Sequence, residues 1–471
     1  MPSKKSFYIT TTLPYVNAEP HIGFAMELIR ADVIARLKKL EEFEVFFNTG
    51  TDEHGQKIYD KACEAEKDTK DYVDEYAEKF KELIPLCGIS FDIHFIRTTD
   101  EKHIRAAEEF WKRCDSAGDI YKKLYKIKYC VGCELEKTDS ELENGKCIIH
   151  PHLELESREE ENYFFRFSKY QKPLLDLYDR QPDFVIPDFR FNEIKAFVER
   201  GLEDFSISRL KSKMPWGVPV PGDDEHVMFV WFDALVNYIS TLDWPKEEDF
   251  EKFWVNGTPV QYAGKDNLRQ QSAMWQAMLM SARLPNSRHI VINGFINSGG
   301  QKMSKSLGNV ITPVEVVERY GIEALRYFVC RELSTFEDSD FSWERMNDSY
   351  NGALANGLGN LVSRIMKLSE TYLDPSQPSP WQEEDEISDA LEKFEIQKAM
   401  NHIWHEIGNL DVEIQERKPW ETKDKLVIES LVKKLAHIAY SLEPFMPETS
   451  EKILKAIQDN KLSQPLFPRK D

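Results

Sequence analysis

The chain has no apolar run approaching the ~20 residues that a membrane-spanning helix needs, so no membrane partner is expected. It also has no excess of positive charge: 61 Lys and Arg against 82 Asp and Glu leave a formal net charge of −21. That excludes a nucleic-acid-binding face spread over the whole surface, although not a local one. Cysteine is sparse and poorly spaced for pairing. Of seven, Cys63, Cys87, Cys114 and Cys330 are scattered, whereas Cys130, Cys133 and Cys147 cluster. This excludes a disulfide scaffold and points to a reducing, cytoplasmic setting with a metal site. A leader peptide is not expected either, because Met1-Pro2-Ser3-Lys4-Lys5-Ser6 runs straight into a strand pattern. A core, by contrast, is well supplied. With 41% hydrophobic and 12% aromatic residues over 471 positions, wholesale disorder is excluded and two to four domains are expected.

The first strand pattern, Phe7-Tyr8-Ile9-Thr10-Thr11, leads through Pro14 to His21-Ile22-Gly23-Phe24 and into a helix. Met26, Ile29, Val33, Leu37 and Leu40 predict one buried stripe on that helix. A histidine and a glycine at a strand-to-helix junction suit a phosphate, which can approach the glycine and the open N–H groups of the helix end. A purely structural junction is the alternative. The next strand, Glu44-Val45-Phe46-Phe47, opens into Thr49-Gly50-Thr51-Asp52-Glu53-His54-Gly55. Strand, helix, strand is a parallel unit, and ligands sit outside the carboxyl ends of such strands. Asp52 and His54 are therefore expected to face the same crevice as His21. Asp52 suits a substrate ammonium, with an N-cap as the structural alternative.

Residues 56–114 read as charged helices. After them, Cys130-x2-Cys133, thirteen residues, then Cys147-x2-His150 has the spacing of zinc ligands, with Gly132 letting the knuckle turn. Four protein ligands close the site, so the metal is expected to be structural; His152 is the rival fourth ligand. A sheet pattern is expected to return at Val227–Trp231, leading into Ala234 and Tyr238, and again at Val260–Ala263 before Gly264-Lys265-Asp266. A further strand, His289–Ile292, precedes the glycine turn Gly299-Gly300 and Lys302-Met303-Ser304-Lys305-Ser306.

Lys302-Met303-Ser304-Lys305-Ser306 together with His21-Ile22-Gly23 resembles the paired motifs of class I aminoacyl-tRNA synthetases. Within that class, Leu13-Pro14-Tyr15, Thr51 to Gly55, Trp231 to Tyr238, the knuckle and Asn162-Tyr163-Phe164-Phe165 resemble the methionine-specific family along essentially the full chain. The resemblance implies an α/β chain. A parallel, Rossmann-type sheet (1–114 and 226–295) would be split by a zinc-containing connective insertion (115–225). A loop and stem-contact region (296–346) and an all-α anticodon-binding bundle (347–471) would follow. It implies activation of methionine by ATP with Mg²⁺, then transfer to tRNA(Met) bearing a CAU anticodon. His21, Lys302 and Lys305 would serve catalysis, and His21, Gly23, Phe24, Gly264, Asp266 and Lys305 would hold ATP. Leu13, Tyr15, Asp52, Trp231, Ala234, Tyr238, Asn267 and Gln271 would surround methionine, one Zn²⁺ would sit on Cys130, Cys133, Cys147 and His150, and Asn360, Arg364 and Trp420 would read the anticodon. Trp420 as plain core is the alternative at that position. With no further oligonucleotide-binding segment after Asp471, a monomer is expected.

The chain departs from the family pattern at several positions. Phe24 stands for a histidine, Asn267 for an isoleucine, Gln271 for a histidine, and Asp411 and Glu413 for an asparagine and a tyrosine. Hence the alternatives of a non-catalytic tRNA-binding relative, or of altered amino-acid choice, stand beside the ligase reading.

Overall fold

The computed structural model describes residues 5–89, 93–133, 135–137, 142–246, 248–303, 308–375 and 385–470. At its centre lies a six-stranded parallel sheet built from β1 (Ser6–Thr10), β2 (Glu44–Thr51), β3 (Ile93–Arg97), β4 (Val185–Ile186), β5 (Pro259–Gly264) and β6 (His289–Asn293). The strand order is β3-β2-β1-β5-β6-β4, every neighbouring pair parallel. Chain order reverses between β1 and β5, which flank each other through Tyr8↔Pro259 and Thr10↔Gln261. A ligand crevice is expected outside the carboxyl ends at such a reversal.

Three expectations need correcting. Within 56–114, read as helices, β3 is a sheet edge, and its polar His94 and Arg97 hid it. The two-residue β4 comes from the connective segment and pairs with Ile290 and Val291. Val227 and Met228 do not return to the parallel sheet: Asp223–Met228 pairs antiparallel with Ser208–Leu210 in a small sheet, and Val230–Ala234 is already helical.

Helix α1 (Ile22–Leu40) is not one-sided either, since Ala25 through Ala35 are all buried. The helix runs between the sheet and the C-terminal half, so its polar residues need buried partners. Arg30 donates to Asn293 Oδ1 at 3.0 Å and to the carbonyls of Thr335 and Ser334 at 2.9 and 2.8 Å. Asp32 accepts from Arg36 at 2.8 Å and from the fully buried Arg326 at 2.7 Å. Arg326 also donates to the carbonyls of Phe445 (2.6 Å), Cys87 (3.0 Å) and Pro444 (3.1 Å). One guanidinium thus joins α1, the turn before β3 and the C-terminal helices. Arg326→Met should lower stability by about 3 kcal/mol, because three carbonyls and part of Asp32 lose a buried charged donor. A denaturant midpoint that does not move would refute this.

The insertion is led by a long antiparallel pair, Ile120–Cys130 with Glu156–Phe165, which ends at the cysteine cluster, and it carries helix α2 (Asp188–Glu199). A short strand, Ile296–Ser298, pairs antiparallel with Gln301–Lys302 across Gly299 and Gly300, whose φ values of 63° and 72° are those a tight hairpin turn requires. Among the described residues from Asn360 onward the regular elements are helices, including α3 (Asn360–Tyr372) and α4 (Ile396–Arg417), then Lys425–Leu442 and Pro447–Gln458.

Candidate functional site

A cavity of about 700 Å³ opens at the carboxyl ends of β1, β2 and β5. Leu13, Tyr15, His21, Phe24, Asp52, Trp231, Ala234, Tyr238, Asp266, Asn267 and Gln271 all line it. Gly23 and Gly264 adjoin it. Lys305 lies outside the described residues, as does the side chain of Lys302, although the Lys302 backbone pairs with Asn297.

His21 is the N-cap of α1, its Nδ1 accepting from the Gly23 N–H at 3.0 Å. That bond assigns the ring proton to Nε2, which makes the far edge of the ring a donor. The neighbouring N–H groups are also taken: Ile22 donates to the Ile311 carbonyl at 2.9 Å and Phe24 to the His21 carbonyl at 3.0 Å. Open backbone donors, expected from the helix end, are therefore mostly spent internally, while the His21 ring itself lines the cavity. The Ile22–Ile311 bond also ties the His21 junction to the segment that follows Lys302–Ser306 in sequence and leads into the helix at Pro313. Phe24 stacks on His21 with ring centroids 4.3 Å apart and meets Phe80 edge-on. It supports the imidazole rather than facing a phosphate with a polar group.

A Cβ on Gly23 would lie 2.8 Å from His21 Cε1 and 2.9 Å from its Nδ1. Gly23→Ala should push the imidazole off its cap; with His21 serving ATP as the resemblance implies, kcat for ATP–pyrophosphate exchange falls by about two orders of magnitude, with little change in KM for methionine. An unchanged kcat would remove His21 from the phosphate site.

On the other wall, Asp52 is buried, and its N–H donates to the Pro14 carbonyl at 2.9 Å while its carbonyl accepts from Val16 at 3.3 Å. Tyr238 accepts at its hydroxyl from Gln271 Nε2 at 2.5 Å, and Gln271 Oε1 accepts from Gln261 at 2.9 Å. Gln271 is thus committed to a buried amide chain behind the pocket. Expected to share the crevice, His54 does not line the cavity. It bonds Asp233 through Nδ1 at 2.6 Å, and the second Asp233 oxygen meets His103 Nε2 at 2.8 Å. Burial opposes ionisation of Asp233, but His54 and His103 outweigh it and hold the carboxyl at about 2. This chain, continued by His103 to Ser240 at 2.9 Å, stiffens the segment carrying Trp231, Ala234 and Tyr238.

Two features escaped the sequence reading. Glu27 accepts from both the Thr12 N–H and the Thr12 hydroxyl at 2.6 Å, pinning the loop after β1; burial pushes its carboxyl up to about 7. Lys57, Arg200 and Arg269 add positive groups to the cavity rim. No local motif announces either, because the partners come from different elements.

The cysteine cluster borders the same cavity through Gly132, Cys133 and His150. Ligand atoms of Cys130, Cys133, Cys147 and His150 lie within 4.8 Å of one another, with Cys133 Sγ 3.4 Å from Cys147 Sγ and 3.1 Å from His150 Nδ1. Such separations are the edges of a tetrahedron around a Zn²⁺-sized ion. His152 is outside the group. A Cβ on Gly132 would sit 2.7 Å from the His150 ring, so only glycine lets that ligand close in. Tyr129 and Phe229 form a small core against which Tyr15, Val131 and Trp231 pack, joining the knuckle to the pocket wall.

Far from the cavity, Asn360 and Arg364 sit four residues apart on α3, and Arg364 lies 5.8 Å from the Trp420 ring centroid. α4 ends at Lys418 in the left-handed region and Pro419 starts a new turn, which leaves Trp420 41% exposed rather than in the core.

The family model described as tRNA synthetases class I (M) matches residues 7–147 and 131–366. A methionine–tRNA ligase of Thermotoga maritima is 40% identical over 476 residues, covering 96% of this chain and 75% of its own length. One from Synechocystis sp. is 38% identical, covering 97% of this chain and 90% of its own. A solved Mycobacterium tuberculosis methionyl-tRNA synthetase in complex with methionyl-adenylate superimposes with a TM-score of 0.88 at 35% identity, over 99% of this chain and 97% of that one.

Proposed function

Since the chain belongs to the class I methionine–tRNA ligases, we propose that the 700 Å³ cavity is where it joins methionine to ATP. The enzyme activates methionine with ATP to methionyl-adenylate and pyrophosphate, then transfers methionine to the 3′ end of its tRNA. The observation that carries the site assignment is that one cavity at the sheet's reversal point gathers Tyr15, Asp52 and Trp231 with His21 and Asp266.

In this reading the thioether side chain lies among Leu13, Tyr15, Trp231, Ala234 and Tyr238, with Asn267 and Gln271 behind it, and the ammonium faces Asp52. A methionine carboxylate oxygen attacks the α-phosphorus; the bond from that phosphorus to the bridging oxygen breaks, and pyrophosphate leaves with the electron pair. His21 Nε2–H donates to the phosphates as charge shifts onto the leaving group, and Asp266 and Gly264 hold the ribose side. Lys302 and Lys305 would add positive charge at the pyrophosphate, and Mg²⁺, when bound, would supply further charge neutralisation to the phosphates. A ribose hydroxyl of the terminal adenosine then attacks the carbonyl of the mixed anhydride, forming the ester and releasing AMP.

One Zn²⁺ on Cys130, Cys133, Cys147 and His150 is read as structural, because four protein ligands leave no open position. Residues 1–114 and 226–295 are assigned to the catalytic sheet, 115–225 to the insertion, 296–346 to the loop and stem-contact region, and 347–471 to anticodon binding. There Asn360, Arg364 and Trp420 face the CAU bases by stacking and hydrogen bonding. A cytoplasmic monomer completes the reading; no helix among the described residues is long and apolar enough to cross a membrane.

The test is ATP–pyrophosphate exchange with each of the twenty amino acids. Exchange with methionine alone is the expected result. Exchange with another amino acid would reassign the pocket, and none at all would leave a tRNA-binding protein without this chemistry.

A further inference from the structure

Asp411 stands where the family pattern has asparagine, and its carboxylate is paired with the arginine assigned to the anticodon. Arg364 Nη1 donates to Asp411 Oδ1 at 2.7 Å, from α3 across to α4. One turn further along α4, the Gln415 amide faces the same guanidinium, and with its oxygen and nitrogen exchanged, the orientation that satisfies both groups, it accepts from Nη1 at 3.1 Å and Nη2 at 2.9 Å. The Trp420 ring lies on the third side, at 5.8 Å. Two α4 residues at i and i+4 share one helix face, so together they fix the plane of the guanidinium before any RNA arrives. A carboxylate here is otherwise hard to understand, because an acidic group beside a tRNA site repels phosphates and lowers affinity.

We propose that Asp411 is a positioning residue for anticodon recognition, holding Arg364 in the orientation in which its remaining donors, Nε–H and the second Nη2 proton, meet an unpaired base edge. The inference rests on the anticodon reading of Asn360, Arg364 and Trp420. A guanidinium with fixed plane discriminates between bases by the direction of its donors; a loose one contributes charge alone. The repulsion of one carboxylate is accepted in exchange for that discrimination.

The experiment is aminoacylation of transcribed tRNA carrying CAU and of the same tRNA with a single anticodon base replaced. The readout is the ratio of the two kcat/KM values, which the fraction of folded enzyme does not move. Asp411→Ala should lower that ratio about tenfold, mainly through KM for the CAU tRNA, and Asp411→Asn, which keeps an acceptor oxygen, should restore most of it. Arg364→Ala and Trp420→Ala are measured in parallel. If both leave the ratio unchanged, the anticodon reading itself fails. If they collapse it while Asp411→Ala leaves it unchanged, or strengthens binding to both tRNAs alike as loss of a repelling charge would, then only the positioning role is overturned.

Discussion

Asp52→Asn should lower kcat/KM for methionine about a thousandfold in ATP–pyrophosphate exchange. The substitution keeps size and shape and removes only the charge. Asp52 is 3% exposed, its backbone is clamped to Pro14 and Val16, and its Oδ1 already accepts from the His54 N–H at 3.4 Å. Neither the loop nor the side chain can withdraw to let water solvate an ammonium left opposite a neutral amide. Breaking one side of a buried ion pair costs about 4 kcal/mol, which corresponds to the thousandfold loss. The fall should appear for methionine while KM for ATP stays within a few-fold, since His21 and Asp266 lie on the other wall. Equal losses for both substrates would indicate damage to the loop and remove Asp52 from its role as ammonium partner.

Stripping the metal is expected to have the other large effect. Binding to a Cys3His set is worth on the order of 10 kcal/mol, and the knuckle has little core of its own beyond Tyr129 and Phe229. Without the ion, residues 130–150 should lose amide-exchange protection while the parallel sheet, which has its own large core, retains it. Because Tyr15 and Trp231 pack on that small cluster, KM for methionine should rise about tenfold, and tryptophan fluorescence should change with it. Protein with no bound metal and full protection across 130–150 would refute a structural ion there.

Much of this was legible in the sequence, and for identifiable reasons. Zinc-ligand spacing is local, so Cys130, Cys133, Cys147 and His150 could be grouped from their intervals, and the glycine between the first two could be explained by the turn they need. The hairpin at Gly299-Gly300 is equally local. The pocket residues were named by family resemblance, and the structure brings those it describes to one cavity. What stayed hidden was long-range. His54 was assigned to the crevice because it follows Asp52, yet its partner is Asp233, 179 residues away. The apolar stripe of α1 suggested one buried face because nothing in its own composition reveals that a second layer, anchored by Arg326, would cover the other. The helix end was expected to offer free N–H groups, but Ile311 arrives from the far side of the chain to take one of them.

By itself, then, the sequence determined the family and the grouping of Cys130, Cys133, Cys147 and His150, since each is carried by residue type at short spacing. Only the tertiary structure decided which side chains meet. It tied Asp233 to His54 and His103, 179 and 130 residues away, and locked Arg364 against Asp411, 47 residues away, and the packing around the start of α1 set His21 as a neutral Nε2–H donor stacked on Phe24.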